Sequence, residues 1–269
     1  MKELGTYKIR EFSKIRQALS EFYEISIKRT SMVGLVELNV DKARKLMKII
    51  ESDSGIKPSF TGWLIKCIGQ AVSEHKQVHA YRLKKNKIIV FDNVHVNIMV
   101  EKTMSSGKKV PVNHVVISAN NKTVLEITKE IRDIQNKSVD ESDQVVEGTP
   151  ESYLKYYSLV PKLIRKWVIR RKMRDTMFVI RNAGTVAITA LGMFGKNVAG
   201  WPIPFATNTL NVAVGGIKRK PIMVKGKIEE QEILNLTVQI DHNIVDGAPA
   251  TRFVSKLAKL VEEAYGLES

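Results

Sequence analysis

From Leu234 to Ile240 the even positions Leu234, Leu236, Val238 and Ile240 are apolar, and the odd positions Asn235, Thr237 and Gln239 are polar. A period of two describes a half-buried strand. The strand runs straight into Asp241-His242-Asn243-Ile244-Val245-Asp246-Gly247, and a helical pattern follows from Ala250 to Tyr265. The end of the chain is thus confined to a strand, a tight turn at Gly247 and a helix folded back on it. His242 has the parity of the apolar set and is expected to point inward, with Asp246 four residues on. A histidine at a strand end, beside a carboxylate, suits a general base, because imidazole titrates close to neutral pH.

A histidine taken alone is more often a satisfied surface or core side chain, and His75, His79, His95 and His114 are read that way. His242 differs by the string around it. Asp-His-x-x-x-Asp-Gly, followed by Ala248 and then Arg252-Phe253, resembles the active-site signature of the acyltransferase core of 2-oxoacid dehydrogenase complexes. It is also similar to chloramphenicol acetyltransferase, which shares that fold but has a second histidine where this chain has Asp241. The aspartate favours the dehydrogenase-complex branch.

The resemblance covers roughly residues 6–136 and 184–266. Pro58 to Asp92, with Thr61-Gly62-Trp63-Leu64-Ile65-Lys66 and His79-Ala80-Tyr81-Arg82, looks like the family's long helix, its turn and the next hairpin. Val94 to Val100 and Val110 to Val112 look like strands, and Thr123 to Glu130 like the second long helix. Gly184 to Gly195 resembles the strand and loop that carry a serine in the family, with Thr189 at the serine's place. The fold class implied is α/β, a chloramphenicol acetyltransferase-like two-layer sandwich with a large mixed sheet and covering helices.

The resemblance also implies roles. His242 is the expected general base, and Thr189 the hydroxyl that meets the oxyanion. Threonine keeps the hydroxyl but is stiffer at χ1. Asp246 is expected to tie the active-site turn down. Gly247 and Asn243 are expected beside the substrate, with Arg16 as the N-terminal arginine that pairs with Asp246. Coenzyme A thioester is implied as substrate, with no metal and no bound cofactor. A homotrimer is implied, its sites formed between subunits, and the polar tail Glu262 to Ser269 suits an assembly that stops there.

Composition fits an enzyme domain. The chain has 269 residues, 43% of them hydrophobic, enough for one large core. It has no apolar run of about 18 residues and no signal pattern at its start. Its single cysteine, Cys67, lies in a helical pattern with Leu64, Ile68 and Ala71 and is expected in the core. One cysteine allows no internal disulfide framework and argues against a structural zinc site, which fits a cytoplasmic setting. No lipoyl domain, subunit-binding domain or Ala/Pro-rich linker is read ahead of the core, so residues 1–269 are expected to be a single catalytic domain.

Local signals place other elements. A basic helical segment is expected from about Glu11 to Lys28. A strand is expected from Met32 to Val40, and Asp41 is the expected N-cap of a helix to Ser52. Thr123-Val124-Leu125-Glu126 has the form of a capping box opening a helix to about Gln135. Residues 136–150 read as a loop.

Residues 137–183 read as an insertion within that domain. From Tyr153 to Ile180, Leu154, Tyr157, Val160, Ile164, Trp167 and Val168 recur at helical spacing. Lys162, Arg165, Lys166, Arg170, Arg171, Lys172 and Arg174 interleave with them, supplying nearly half of the formal net charge of +15. One basic amphipathic helix is expected, packed on a neighbouring subunit or laid on an anionic membrane surface. Nucleic acid is not the expected partner, because no aromatic-basic module of a known binding fold is present.

Three functional readings follow. The first is an acyltransferase between coenzyme A and a dihydrolipoyl group on a separate lipoyl carrier protein. The second is a free-standing acyl-CoA-dependent transferase for another small-molecule or lipid acceptor. The third is a non-catalytic scaffold of the same fold.

Overall fold

A computed structural model describes residues 30–84, 86–103, 109–136, 160–192 and 199–268, with Lys8, Gln17, Ser20, Glu21 and Glu24. Strand β1 (Ser31–Asn39) leads into α1 (Asp41–Ser54) and α2 (Phe60–Glu74). A short hairpin follows, β2 (Tyr81–Lys84) and β3 (Lys87–Ile89), and then β4 (Val96–Thr103), β5 (Lys109–Val116) and α3 (Val124–Asn136). After α4 (Lys162–Arg174) and α5 (Thr176–Ala183) come β6 (Val186–Ala190), β7 (Leu210–Val224), β8 (Lys227–Asp241) and α6 (Gly247–Glu262).

Six strands form one mixed sheet in the order β1-β8-β7-β6-β4-β5. β6 runs parallel to both β4 and β7, and the remaining pairs are antiparallel. One face packs on α2, α3 and α6, and the largest core side chains, Trp63, Phe253, Leu64 and Ile127, come from these helices. Their apolar stripes remove from water the surface that drives such packing. The expected two-layer arrangement of large mixed sheet and covering helices is observed.

Several local expectations hold. The capping box is reciprocal: Thr123 N–H donates to Glu126 Oε2 at 2.7 Å, and Glu126 N–H donates to Thr123 Oγ1 at 3.2 Å. Cys67 is fully buried, and burial pushes its thiol well above the ordinary range. Asp41 is not the N-cap of α1. It is the first helical residue, and its N–H donates to Asn39 Oδ1 at 3.0 Å.

Strand β8 is not half-buried at its inner end. Every residue from Ile233 to Asp241 is buried, including Asn235, Thr237 and Gln239. Alternation here separates a hydrocarbon face from a polar but enclosed one. The insertion also departs from one continuous helix. It breaks at Asp175, whose carboxylate accepts from Met177 N–H and Phe178 N–H and caps α5. Residues 137–159 lie outside the described residues, as does most of the expected N-terminal helix.

Candidate active site

The turn after β8 begins with the register of the sheet. Asp241 N–H donates to Thr209 O at 2.9 Å, and His242 N–H donates to Thr30 O at 2.7 Å. Asp241 Oδ1 then accepts from Asn243 N–H at 3.0 Å and from Asn243 Nδ2 at 2.8 Å. The Asp241 carbonyl accepts from Ile244 N–H and Val245 N–H, both at 3.1 Å. These bonds fold the chain back into α6, with Val245 buried beneath.

Two expectations are corrected by this geometry. His242 does not point inward: its side chain is 47% exposed in the single chain. The strand period ends at Asp241, so parity no longer sets the direction of the next side chain. Among the described residues, Asp246 makes no bond that ties the turn. Its side chain is 89% exposed, its carboxylate stands 4.0 Å from His242 Nδ1, and it makes no cap bond at the start of α6. Buried Asp241 fastens the turn instead, and Asn243 is its donor. The Asp-x-Asn spacing was a legible sign of this, since such a carboxylate bonds the backbone two residues on.

Gly247 was expected to permit a tight turn, but its φ is not in the left-handed region, and a Cβ built on it meets nothing within 4 Å. Nothing in the fold of one chain requires glycine there. Arg16 lies outside the described residues.

Thr189 is half-buried on β6, on the sheet face away from the helices. Register places it beside Ala213 and, one strand further, Thr237. Over β8 that face is polar and enclosed, while its β1 edge is open. The Thr237 hydroxyl and the side-chain amide oxygens of Asn97, Asn235 and Gln239 are buried on this face without hydrogen-bond partners among the described residues. Just beyond Thr189 the backbones converge: Leu191 N–H and Gly192 N–H both reach Val214 O, at 3.0 and 3.1 Å, beside the irregularity in β7 between Val214 and Ile217. A Cβ on Gly192 would stand 1.9 Å from Gly215 O, so only glycine admits this approach.

Thr189 and His242 are far apart in one chain. Thr189 is level with Thr237, five residues from His242 along β8 and two strands across. That is about 17 Å along the strands and about 10 Å across them, roughly 20 Å in all. No single carbonyl can be in reach of both side chains within one subunit.

The expectation that other histidines are satisfied side chains is met at His79. It is fully buried, with Nδ1 3.1 Å from Thr185 Oγ1 and Nε2 3.1 Å from Phe91 O. Burial lowers its pKa to about 4. Among the described residues, no group of three or more His, Cys, Asp or Glu side chains is placed to hold a metal ion.

The 2-oxoacid dehydrogenases acyltransferase (catalytic domain) family model matches residues 5–148 and 174–268. The chain belongs to this family. The dihydrolipoyllysine-residue acetyltransferase component of the pyruvate dehydrogenase complex of Mycoplasma genitalium is 28% identical over 84% of this chain and 50% of its own length. The succinyltransferase component of the 2-oxoglutarate dehydrogenase complex of Buchnera aphidicola (Schizaphis graminum) is 21% identical over 97% of this chain and 58% of its own. The chain thus spans about half the length of these family members. A probable dihydrolipoamide acetyltransferase from Listeria monocytogenes has the same fold, with TM-score 0.68, 19% identity and coverage of 97% of this chain and 96% of that one. So does the Azotobacter vinelandii dihydrolipoamide acetyltransferase, in which a serine, a histidine and an asparagine were investigated for their role in catalysis (TM-score 0.69, 15% identity, 99% and 96% covered).

Proposed function

We propose that the chain transfers an acyl group between coenzyme A and the thiol of a dihydrolipoyl group, with His242 as general base. A free thiol has a pKa of about 8.5, so at neutral pH most of it is not the attacking thiolate. His242 takes the thiol proton as the sulfur adds to the thioester carbonyl. The hydroxyl of Thr189 then donates to the developing oxyanion; as the adduct collapses, the original C–S bond breaks and the His242 imidazolium returns its proton to the leaving thiolate. Asp241 and Asn243 hold the turn that presents the imidazole. The open space over Gly247, at the start of α6, leaves room for a substrate beside His242.

The separation of roughly 20 Å between His242 and Thr189 carries the quaternary part of this reading. The two groups can serve one carbonyl only if they come from different subunits, so the working unit is an oligomer with its sites between chains, and the family resemblance makes it a homotrimer. The face that bears Thr189 supports this. Val33 and Leu35, which share it through their pairing with Gln239 and Thr237, are 44% and 52% exposed. A second copy would cover them. The tail past α6 is tied to its own chain, with Trp63 Nε1 donating to Tyr265 O at 3.0 Å and Leu267 buried.

An insertion within the domain is part of the same proposal; the family match omits residues 149–173, a shorter span than the 137–183 read from the sequence. A cytoplasmic location is also part of it, with a separate protein bearing the lipoyl acceptor. Transfer from acetyl-CoA to dihydrolipoamide, followed by thiol release, tests the activity. Wild-type protein is expected to turn over and His242→Ala to lose at least about 100-fold in rate. Near-normal kcat in that variant would sink the assignment, and turnover only with other thiols would replace the acceptor.

A further inference from the structure

Helix α4 carries its large apolar side chains on the side away from the protein. Its inner side is fastened by charge. Arg165 Nη2 bonds Glu21 Oε1 at 2.8 Å, Lys166 pairs with Glu24, and Met173 packs on the small cluster of Tyr81, Val179 and Ile180. At 100° per residue, Leu163, Ile164, Trp167, Arg170, Arg171 and Arg174 fall within one arc of about 120° on the opposite side. Leu163 is 83% exposed, Trp167 63% and Ile164 52%, and no residue of α4 is buried. A helix placed only to be solvated would have the reverse arrangement.

Charge on this face is of one sign. Arg170, Arg171 and Arg174 on this face, and Lys172 beside it over the Phe178 ring, make no ion pair among the described residues. They border a concavity of about 710 Å³ between α4 and α5, with Trp167 and Phe178 as its aromatic walls. Lys172 Nζ lies 5.4 Å from the centre of the Phe178 ring. The one carboxylate at the rim, Asp175, is engaged in capping α5. The occupant has to bring anionic groups as well as apolar area, because Arg170, Arg171, Lys172 and Arg174 bring positive charge only. A small soluble anion would leave Leu163 and Ile164 unused.

We propose that this face docks on an anionic phospholipid surface. The arginines and Lys172 take headgroup phosphates in the concavity, and Leu163, Ile164 and Trp167 enter the boundary with the acyl chains. An indole suits that depth, with an apolar body and one polar N–H. The proposal is independent of the acyl-transfer reading, since α4 contributes nothing to the turn of His242 or to Thr189.

Co-sedimentation of the full chain with vesicles tests it. Binding is expected to phosphatidylglycerol-containing vesicles, weakening steeply with salt, and not to pure phosphatidylcholine vesicles. Excess inorganic phosphate should not displace the protein at matched ionic strength. Replacing Arg170, Arg171 and Arg174 by Gln should weaken partitioning roughly five-fold per cation, on the order of 100-fold together. Leu163→Ser with Trp167→Ser should abolish salt-resistant retention and leave acyl transfer, melting temperature and assembly unchanged. Wild-type Trp167 fluorescence should shift to the blue on anionic vesicles. No binding to anionic vesicles, equal binding by the variants, displacement by phosphate, or dissociation of the assembly in the Leu163/Trp167 variant would each overturn the proposal.

Discussion

Asp241 Oδ1 accepts both the main-chain N–H and the side-chain Nδ2 of Asn243, at 3.0 and 2.8 Å, and so closes the turn that presents His242. Hydrogen bonds to a charged acceptor contribute about 1.5–3 kcal/mol each, and Asp241 is buried. Asp241→Ala is therefore expected to lower stability by about 2–3 kcal/mol in denaturant unfolding, and to lower kcat because the imidazole is no longer held. Asp246→Ala, at an exposed position, should stay within about 0.5 kcal/mol of wild type. The reverse order of stabilities would show that Asp246 is the fastening residue after all.

Gly247→Ala separates substrate contact from folding. The position is helical and open, so alanine should be neutral or stabilising by up to about 1 kcal/mol. If the space over Gly247 receives substrate, KM for acetyl-CoA should rise while the melting temperature holds. An unchanged KM would remove Gly247 from the site.

The sequence exposes the parts of this fold in which one local rule acts alone. Thr123 and Glu126 announce a capping box, and the span of β1 follows from its own pattern. Leu64, Cys67, Ile68 and Ala71 mark the buried stripe of α2. The rest depends on what surrounds the strand. Asn235, Thr237 and Gln239 alternate like a solvated face, yet they are enclosed. His242 follows the parity of β8 on paper, but the strand stops one residue earlier, where Asp241 diverts the chain into a turn. The break between α4 and α5 was readable from Asp175, a good cap immediately after Arg174. The separation of Thr189 from His242 could not be read, because it is set by the pairing of β6, β7 and β8.

His79 makes stability depend on pH in a known direction. Its pKa is about 4 in the folded protein, lowered by burial from 6.5. Below about pH 6.5 the unfolded chain gains a proton that the folded one refuses, so stability falls as pH drops from about 6.5 towards 4 and is fully present above that range. The shift corresponds to about 3 kcal/mol over the whole window. Denaturant unfolding across these pH values should show the loss, and His79→Gln should flatten it. An equal slope in the variant would assign the pH dependence to other groups.

Thr189→Val removes a hydroxyl and nearly keeps the shape. A decrease in kcat of about 10²–10³ is expected, the range for one lost oxyanion donor, with little change in the unfolding midpoint. Wild-type turnover would make Thr189 an ordinary strand residue and place the oxyanion donor elsewhere.

The most direct measurement mixes two inactive variants. His242→Ala and Thr189→Val proteins, each assayed alone, should be nearly inactive. Unfolded together and refolded as mixed assemblies, they should regain activity, because some sites then combine an intact His242 from one chain with an intact Thr189 from another. In a mixed trimer about one site in three can be restored. Recovery towards that level is the result predicted by a site shared between subunits. No recovery, in mixtures shown by mass to contain both variants, would contradict it.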